Sequence, residues 1–251
     1  MNKIVESLCG KLIVSCQAFP GSPMYGTEHV AAMARAAEKG GAGGLRACWA
    51  DNIRAIKAVS KLPVVGINKV TDDGVMRPDR VYITPSFRDA AEVIEAGCDI
   101  LGMDFTPRNR TYSDIEALVN TIRKAYPGVP IMADLSTLEE GVMAERLGAD
   151  IVSTTLSGYT LESIRRMNVD TDALMAEYLK TGEIPEFEPD FALIEALKAC
   201  VKIPINAEGR FWERADLLRG FSAGADMVTV GSAITAPDAI TKRFVRAIEE
   251  K

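Results

Sequence analysis

Charged and polar side chains stand at the ends of several short apolar runs in this sequence. Lys69 ends "PVVGINK", Asp134 ends "IMAD" and Glu208 ends "INAE". A lysine close to carboxylates perturbs the pKa values of all the groups, as acid/base chemistry at carbon requires. In chain order, the ends of the runs carry Gln17, Arg46, Lys69, Asp104, Asp134, Thr154 or Thr155, Glu208, and Gly231 with Ser232.

Lys69 on its own has three possible roles: a solvated charge, an anion-binding group or a catalytic base. A single charge at the end of a strand is more often part of a salt bridge at the rim. Several such ends that meet in one place favour a functional site instead. Burial would lower the pKa of Lys69, whereas Glu208 or Asp134 nearby would oppose that shift, and the sequence leaves the balance open.

The apolar runs alternate with stretches that can each form a helix. Glycine turns such as "RLGADIVSTT" follow amphipathic stretches, and proline opens other runs such as "VPIMADL". Glycine suits the C′ position of a helix, and a first strand residue need not donate a hydrogen bond to the sheet. Strands are predicted near 12–18, 42–47, 63–69, 100–104, 130–135, 151–155, 204–209 and 227–232. Helices are predicted near 26–39, 50–60, 86–96, 113–126, 138–147, 190–201, 212–222 and 237–250.

This alternation predicts an α/β fold, a single (β/α)8 TIM barrel domain over residues 1–251. A doubly wound open sheet is the alternative, but the GxGxxG motif that it needs after the first strand is absent. In a barrel, the C-terminal ends of the strands meet at one mouth, where active sites lie. The residues at the ends of the runs are therefore expected to converge.

One connection is longer than the others. Residues 161–190 are predicted to be an insertion between strands six and seven, with a helix near 171–180 and an acidic, proline-containing loop at 182–190. An insertion after a strand lies on the functional face of a barrel. It can serve as a lid or be a surface elaboration.

Composition excludes several classes of function. The formal net charge of −6 argues against a general nucleic-acid or membrane-surface role. No run approaches the roughly 20 apolar residues that span a bilayer. The five scattered cysteines predict reduced thiols in a cytoplasmic protein. With His29 as the only histidine, a multi-histidine metal site within one chain is impossible, and no metal is expected.

Strands seven and eight end in the glycine-containing segments "AEGRF" and "VGSAITAPDAI". Gly209, Gly231 and Ser232 leave the backbone accessible just before a predicted helix near Pro237. This is the usual position of a phosphate site in a barrel of this kind. Tight turning alone would also explain the glycines.

Many segments resemble the N-acetylmannosamine-6-phosphate 2-epimerase family of bacterial sialic-acid catabolism, in that family's order. The two longest are "MADLSTLEEG" and "STTLSGYT", and the others include "LIVSCQA", "GLRA", "PVVGINK", "YITPS", "AERLGAD", "AEGR" and "VGSAIT". The resemblance implies a cofactor-independent isomerase that interconverts N-acetylmannosamine 6-phosphate and N-acetylglucosamine 6-phosphate by inverting C2. It also favours a homodimer, to which the amphipathic run "TKRFVRAIEEK" could contribute.

The resemblance also implies roles for individual residues. Lys69 would remove and return the C2 proton, with Glu208 as its partner carboxylate. A proton α to a carbonyl needs such a base, and the developing enolate oxygen needs hydrogen-bond donors. Implied substrate contacts are Gln17, Arg46, Asp134 and Thr155, and implied phosphate contacts are Gly209, Arg210, Gly231 and Ser232.

Three features depart from the family pattern. The family usually reads "GGAITRP", with an arginine that meets the phosphate, whereas Ala236 stands there and Ser232 replaces the second glycine. Loss of a charge-assisted contact typically costs about 1.5–3 kcal/mol. Arg210, Lys242 or Arg165 are candidates to replace it. Together with the insertion, these departures concern the identity of the substrate more than the reaction.

Two other functions are compatible with the same residues. Lys69 could form a Schiff base in an aldolase-like barrel that acts on a keto-sugar phosphate. Alternatively, the chain could be a non-catalytic sugar-phosphate binder or sensor. The intact set of Lys69, Glu208, Asp134 and Arg46 argues against a binder.

Overall fold

Eight parallel strands close into a barrel in the structure of the protein, a computed structural model that describes residues 2–71, 76–166 and 188–249. Each strand pairs with the next in parallel, and the last pairs with the first. The predicted TIM barrel is confirmed. The strands are β1 (Leu12–Cys16), β2 (Gly44–Cys48), β3 (Val64–Ile67), β4 (Ile100–Asp104), β5 (Ile131–Asp134), β6 (Ile151–Ser153), β7 (Ile205–Glu208) and β8 (Met227–Val230).

Helices lie between the strands, and a short 3₁₀ turn, Thr154–Leu156, follows β6. The described helices are α1 (Lys3–Leu8), α2 (Thr27–Lys39), α3 (Ala50–Val59), α4 (Phe87–Glu95), α5 (Tyr112–Ala125), α6 (Leu138–Arg146), α7 (Leu161–Arg166), α8 (Phe191–Cys200), α9 (Arg214–Ser222), α10 (Ser232–Thr235) and α11 (Pro237–Glu249). The sequence patterns did not predict α1, α7 or α10. The helix predicted near 171–180 and most of the loop predicted after it lie outside the described residues.

Three helices, α4, α5 and α6, begin at reciprocal capping boxes with Ser or Thr at the N-cap, which fix the loops that lead into them. Ser86, Thr111 and Thr137 each accept a hydrogen bond from the backbone three residues later, and the acidic side chain there reaches back to the cap backbone. Each box thereby satisfies two backbone N–H groups that have no acceptor within the helix. The cap at Thr137 starts α6 just after β5, so the last residue of β5 is followed by a short, rigid connection.

The interior of the barrel has an apolar floor. The floor packs against Val5 and Leu8 of α1, which plugs the N-terminal end. Its strand residues are Ile13, Val65, Ile100, Met132, Ile151 and Met227.

Above the floor, the interior becomes polar. Side chains alternate with period two along a strand, so the next inward positions lie two residues further on. They include Ser15, Asp134, Ser153 and Thr229, all buried. Polar groups therefore gather between a dry floor and the C-terminal mouth.

The outward face of β3 is tightly packed at Gly66. A Cβ atom there would lie 2.5 Å from Cys98 Cβ and 2.9 Å from Ile53 Cδ1. We expect Gly66→Ala to lower the free energy of unfolding by about 1–3 kcal/mol, because an added methyl overpacks this contact. Gly128→Ala is the control, since nothing lies within 4 Å of the added Cβ. Denaturant unfolding should leave it within about 0.5 kcal/mol of wild type, and equal losses in the two variants would contradict the packing explanation.

Across the described ranges, the structure contains no helix that is both long enough and apolar enough to cross a membrane.

Candidate active site

Lys69 is held two residues beyond β3 by a backbone pairing. It forms an isolated antiparallel bridge with Ile83. Thr84 N donates to Asn68 O at 2.6 Å, and Asn68 N donates to Thr84 Oγ1 at 3.0 Å. Thr84 has a φ of 47°, which is unfavourable for a β-branched residue, and its hydroxyl also donates to Gly102 O at 2.7 Å. These bonds fix the backbone that carries Lys69.

The Lys69 side chain is half-buried beside two aromatic residues. Its Nζ lies 4.7 Å from the centroid of the Phe19 ring, and Trp49 Nε1 donates to the Lys69 carbonyl at 3.0 Å. Phe19 and Trp49 pack edge to face, with centroids 5.6 Å apart. Among the described residues, no carboxylate oxygen lies within 4.0 Å of the Lys69 Nζ. The Lys69 amine therefore forms no direct ion pair with a carboxylate of the described residues.

The pKa of Lys69 is lowered from its ordinary value. Burial is the largest cause, and the positive charge of Arg46 adds to it. Cys48, Glu208 and Asp134 act in the opposite direction but are outweighed. The question that the sequence left open is thus decided in favour of desolvation, which makes a neutral amine accessible.

Arg46 joins two carboxylates in the barrel interior. Its Nη1 donates to Asp134 Oδ1 at 3.0 Å and to Glu208 Oε2 at 2.7 Å, and its Nη2 donates to Asp134 Oδ2 at 2.6 Å. The side chain of Arg46 is 1% exposed, that of Asp134 0% and that of Glu208 11%. Of these three side chains, only that of Glu208 is partly exposed, so it is the one that reaches toward the mouth. Burial lowers the pKa of Arg46, but Asp134 and Glu208 raise it further, so the guanidinium stays charged.

The pKa of Glu208 is raised above its ordinary value. Burial is the main cause, and Asp134 adds to it, while Arg46 and Lys69 lower the pKa by less. Glu208 therefore holds a proton more readily than an exposed glutamate does. A raised pKa brings a carboxyl group closer to the range in which it can both give and take a proton.

A chain of neutral polar side chains continues from these carboxylates, and sequence reasoning found only part of it. Thr155, predicted as a substrate contact, donates to Asp134 Oδ1 at 2.6 Å. Asn206 donates to Ser153 Oγ at 2.7 Å and to Glu208 Oε2 at 3.2 Å, and Thr229 donates to Asn206 Oδ1 at 2.9 Å. The available signal was the presence of polar residues at inward positions of otherwise apolar strands.

Gln17, one residue beyond β1, carries a buried acceptor without a partner. Its Nε2 donates to Ser15 Oγ at 2.7 Å. Its Oε1 is buried and has no hydrogen-bond partner, as is true of Arg46 Nε. Buried polar atoms are normally satisfied, so these two atoms in the described part of the chain indicate places for a ligand's polar groups.

The glycine segments lie at the ends of β7 and β8, as predicted. Gly209 has a φ of 110°, a conformation that favours glycine, and Gly231 is the N-cap of α10. Ser232 is the exposed first residue of α10, and Thr235 Oγ1 donates to Ser15 O at 2.8 Å, which ties this helix to β1. The first N–H groups of a helix have no acceptor within it and can point at an anion.

Arg210 is engaged with neighbouring loops. Its Nη1 donates to Ser157 O and its Nε donates to Glu188 O at 3.0 Å, while its guanidinium lies 5.6 Å from the Tyr159 ring centroid. Burial lowers its pKa. These contacts link Arg210 to the turn after β6, at Ser157 and Tyr159, and to Glu188, which lies shortly before α8. Its phosphate contact stays a prediction.

Asp104 shows that a strand-end carboxylate need not join the site. It is fully buried and pairs with Arg108 and Arg110 in the loop after β4. It also accepts hydrogen bonds from Thr106 N at 2.8 Å and Thr106 Oγ1 at 2.7 Å. Its role is to order this loop.

Arg165, considered above as a substitute for the missing family arginine, lies elsewhere. It lines a separate cleft of about 570 Å³ together with Arg108, Tyr112, Glu140 and Thr160. Residues 2–71, 76–166 and 188–249 include no cluster of three or more His, Cys, Asp or Glu side chains that could hold a metal ion. The titratable groups described above at the mouth are an amine, a guanidinium and carboxyl groups.

These groups suit proton transfer at a carbon next to a carbonyl. The lowered pKa of Lys69 gives a base, and the raised pKa of Glu208 gives a group that exchanges a proton. The fixed charge of Arg46 between Glu208 and Asp134 stabilises negative charge at the mouth.

Comparisons with known proteins agree with this chemistry. Residues 30–250 match the model of the family described as "Putative N-acetylmannosamine-6-phosphate epimerase". A relative from Caldanaerobacter subterraneus subsp. tengcongensis, named "Putative N-acetylmannosamine-6-phosphate 2-epimerase", is 42% identical over 253 residues, which cover 99% of this chain and 95% of the relative.

Two solved structures are similar to this chain in fold. The N-acetylmannosamine-6-phosphate 2-epimerase from Clostridium perfringens superposes with a TM-score of 0.82 at 38% identity, covering 97% of this chain and 96% of that one. The aldolase QR15 has a TM-score of 0.61 at 13% identity over 98% of this chain and 99% of its own, and shows the fold alone. From the family match and the similarity over nearly its whole length, the chain belongs to the N-acetylmannosamine-6-phosphate epimerase family.

Proposed function

We propose that this protein is an isomerase that interconverts N-acetylmannosamine 6-phosphate and N-acetylglucosamine 6-phosphate by inverting C2, as its relatives are named for doing. The observation that carries the proposal is the lysine of lowered pKa at the mouth, beside the buried Arg46–Asp134–Glu208 cluster. No cofactor is required, because proton removal and return need only side chains.

In the open-chain sugar, C2 is next to the C1 aldehyde, so its proton can be removed once the developing enolate is stabilised. The neutral amine of Lys69 takes this proton, and the negative charge that forms on the C1 oxygen lies in the field of Arg46. Glu208 supplies or accepts the proton at oxygen during ring opening. Inversion follows when the enolate turns in the site and the Lys69 ammonium returns the proton to the opposite face of C2, which regenerates the neutral amine.

The other site residues support binding. The unpartnered Oε1 of Gln17 suits a sugar hydroxyl or the acetamido N–H, both of which are hydrogen-bond donors. Asp134 is fully buried and both its oxygens accept from Arg46. We therefore assign Asp134 to positioning Arg46, whereas Thr155, which is half-buried and donates to Asp134, keeps its proposed contact with the sugar.

The phosphate is held at the ends of β7 and β8. We assign it to the backbone of Gly209, Gly231 and Ser232, together with Arg210, which directly follows Gly209. Ala236 closes α10 and offers no side-chain donor, so backbone amides carry more of the contact than in a site with an arginine there.

Product formation tests this function, and two further measurements test the alternatives, a Schiff-base aldolase and a non-catalytic binder. Incubation with N-acetylmannosamine 6-phosphate should yield N-acetylglucosamine 6-phosphate without added cofactor, and borohydride should trap no adduct on the protein. A trapped adduct with a keto-sugar phosphate would instead support the Schiff-base aldolase. Thermal stabilisation by the sugar phosphate with no turnover would support a binder.

We further propose that the protein acts in the cytoplasm as a homodimer. All five cysteines are unpaired, which suits a reducing compartment. No residue of α11 is buried, and Phe244, Val245 and Ile248 on it are 72%, 46% and 68% exposed. Such an apolar helix face is typical of an interface, and a second copy of the chain would cover it symmetrically.

Light scattering should therefore find a dimer in solution, and Phe244→Glu with Ile248→Glu should convert it to a monomer. Phe87→Glu is the control, since Phe87 is an exposed aromatic residue of α4. A wild-type monomer, or a double variant that stays dimeric, would contradict the homodimer.

A further inference from the structure

Asn206 is one member of a closed ring of hydrogen-bonded side chains in the barrel interior. It is fully buried on β7, two residues before Glu208 and on the same inward face. The ring runs from Asn206 through Ser153, Thr155, Asp134, Arg46 and Glu208 and back, with donor–acceptor distances between 2.6 and 3.2 Å. Every side chain of the ring comes from a strand or from the turn directly after β6.

The proton positions in this ring follow from chemistry. An ionised carboxylate only accepts, so the Thr155 hydroxyl uses its proton on Asp134 Oδ1. Ser153 must then be the donor in its 2.7 Å contact with Thr155. Asn206 in turn donates to Ser153 Oγ, which leaves its second N–H for Glu208 Oε2.

Thr229 fixes the orientation of the Asn206 amide from the other side. Its hydroxyl donates to Asn206 Oδ1 at 2.9 Å, so that oxygen is turned away from Glu208. The reversed amide would place Oδ1 against the carboxylate oxygen and against Ser153 Oγ, whose proton is used on Thr155. Thr229 is 1% exposed, and water is therefore a poor substitute for its hydroxyl.

Among the described residues, three charged groups are the main ones that act on Glu208. Arg46 reaches it from β2, Asp134 lies behind Arg46 on β5, and Lys69 lies beyond the end of β3. Arg46 binds the same oxygen, Oε2, as Asn206 does. The two donors together hold this oxygen down in the barrel.

We propose that Asn206 is a positioning residue, locked by Thr229 and Ser153, that orients Glu208 and favours its ionised form by donating a hydrogen bond to Oε2. This inference deepens the proposed function, because it concerns the carboxyl group that exchanges a proton with the sugar. It predicts that Glu208 loses a proton more easily only while the amide is in place.

The test measures the titration of Glu208 directly, without substrate. The ¹³C NMR signal of its carboxyl group is followed against pH in wild type and in Asn206→Ala. Removing a donor from a carboxylate favours the protonated form, so the midpoint should rise by about one pH unit, which corresponds to about 1.4 kcal/mol. At a pH below the Glu208 midpoint, kcat/KM should fall roughly tenfold, because a rise of one pH unit there lowers the ionised fraction of Glu208 about tenfold.

Thr229 provides a milder pair of variants that should fold. Thr229→Val frees the amide, so the Glu208 midpoint should also rise, by less than in Asn206→Ala. Thr229→Ser keeps the hydroxyl and should restore the wild-type midpoint. Ile151→Val in the barrel floor is the stability control, and it should lower Tm without moving the Glu208 midpoint.

The inference is overturned if Asn206→Ala and Thr229→Val titrate as wild type does, or if Thr229→Val and Thr229→Ser behave alike. It is also overturned if Ile151→Val shifts the midpoint as far as they do. These outcomes differ from failure of the proposed function, in which wild type shows the predicted Glu208 titration but does not turn over the sugar phosphate.

Discussion

Replacement of Lys69 by methionine should reduce kcat by about 10²–10⁴-fold, the usual contribution of a positioned general base. Methionine keeps most of the volume of the side chain and removes the amine. In wild type, kcat/KM should rise with pH through the lowered pKa of Lys69, because only the neutral amine accepts a proton. That rise should be absent in Lys69→Met.

Lys69→Arg decides between a base and an anion-binding role. Arginine keeps the positive charge but does not lose its proton near neutral pH. A base would be lost in both variants, whereas an anion-binding group would survive in Lys69→Arg. Substantial activity in Lys69→Arg would therefore contradict the assignment of Lys69 as the base.

Lys69→Met should also raise the stability of the folded protein. The pKa of Lys69 is lower in the folded protein than in the unfolded chain. Its contribution to stability is therefore complete only above pH 10.5 or so and is lost as the pH falls through the folded pKa. Lys69→Met removes that penalty at neutral pH, so we expect Tm to rise while activity falls, as is common where a site is kept for function.

Replacement of Arg46 by methionine should have the largest effect on stability. It would leave Asp134, fully buried, without the two hydrogen bonds of the guanidinium, and Glu208 without its closest cation. Removing one partner of a buried ion pair typically costs about 3–5 kcal/mol. Denaturant unfolding should show a loss of that size, and a loss below about 1 kcal/mol would contradict the buried pairing.

A double-mutant cycle separates the pairing from the loss of packing. Asp134→Leu alone should also destabilise the protein, because Arg46 then loses its bidentate partner. Arg46→Met with Asp134→Leu should lose less than the sum of the single losses, because apolar pairs can replace buried ion pairs at little net cost. Arg46→Lys should be intermediate, since lysine keeps the charge but lacks the planar fork.

The sequence was sufficient to predict the barrel and the convergence of its charged ends. The alternation of glycine turns and apolar runs placed all eight strands within two residues or so of their observed bounds. Lys69, Arg46, Asp134 and Glu208 then follow from the rule that the strand ends of a barrel share one mouth. The direction of the Lys69 pKa shift needed the structure, because it depends on how deeply the amine is buried.

Other features had no decisive signal in the sequence. Asp104 ends β4 as Asp134 ends β5, yet it turns to Arg108 and Arg110 because those arginines follow within one loop. Asn206 and Thr229 stand inside strands, where a polar residue can face either side. The short helix α1 was missed because a run as brief as "KIVESL" has little periodicity.

The central claim is that the reaction proceeds by removal of the C2 proton by Lys69, and proton exchange with solvent tests it most directly. The enzyme is incubated with N-acetylmannosamine 6-phosphate in D₂O, and the C2 hydrogen is followed by NMR. Wild type should place deuterium at C2 of the N-acetylglucosamine 6-phosphate formed, and Lys69→Met should not. Product that keeps its original hydrogen at C2, or equal exchange by wild type and Lys69→Met, would contradict the claim.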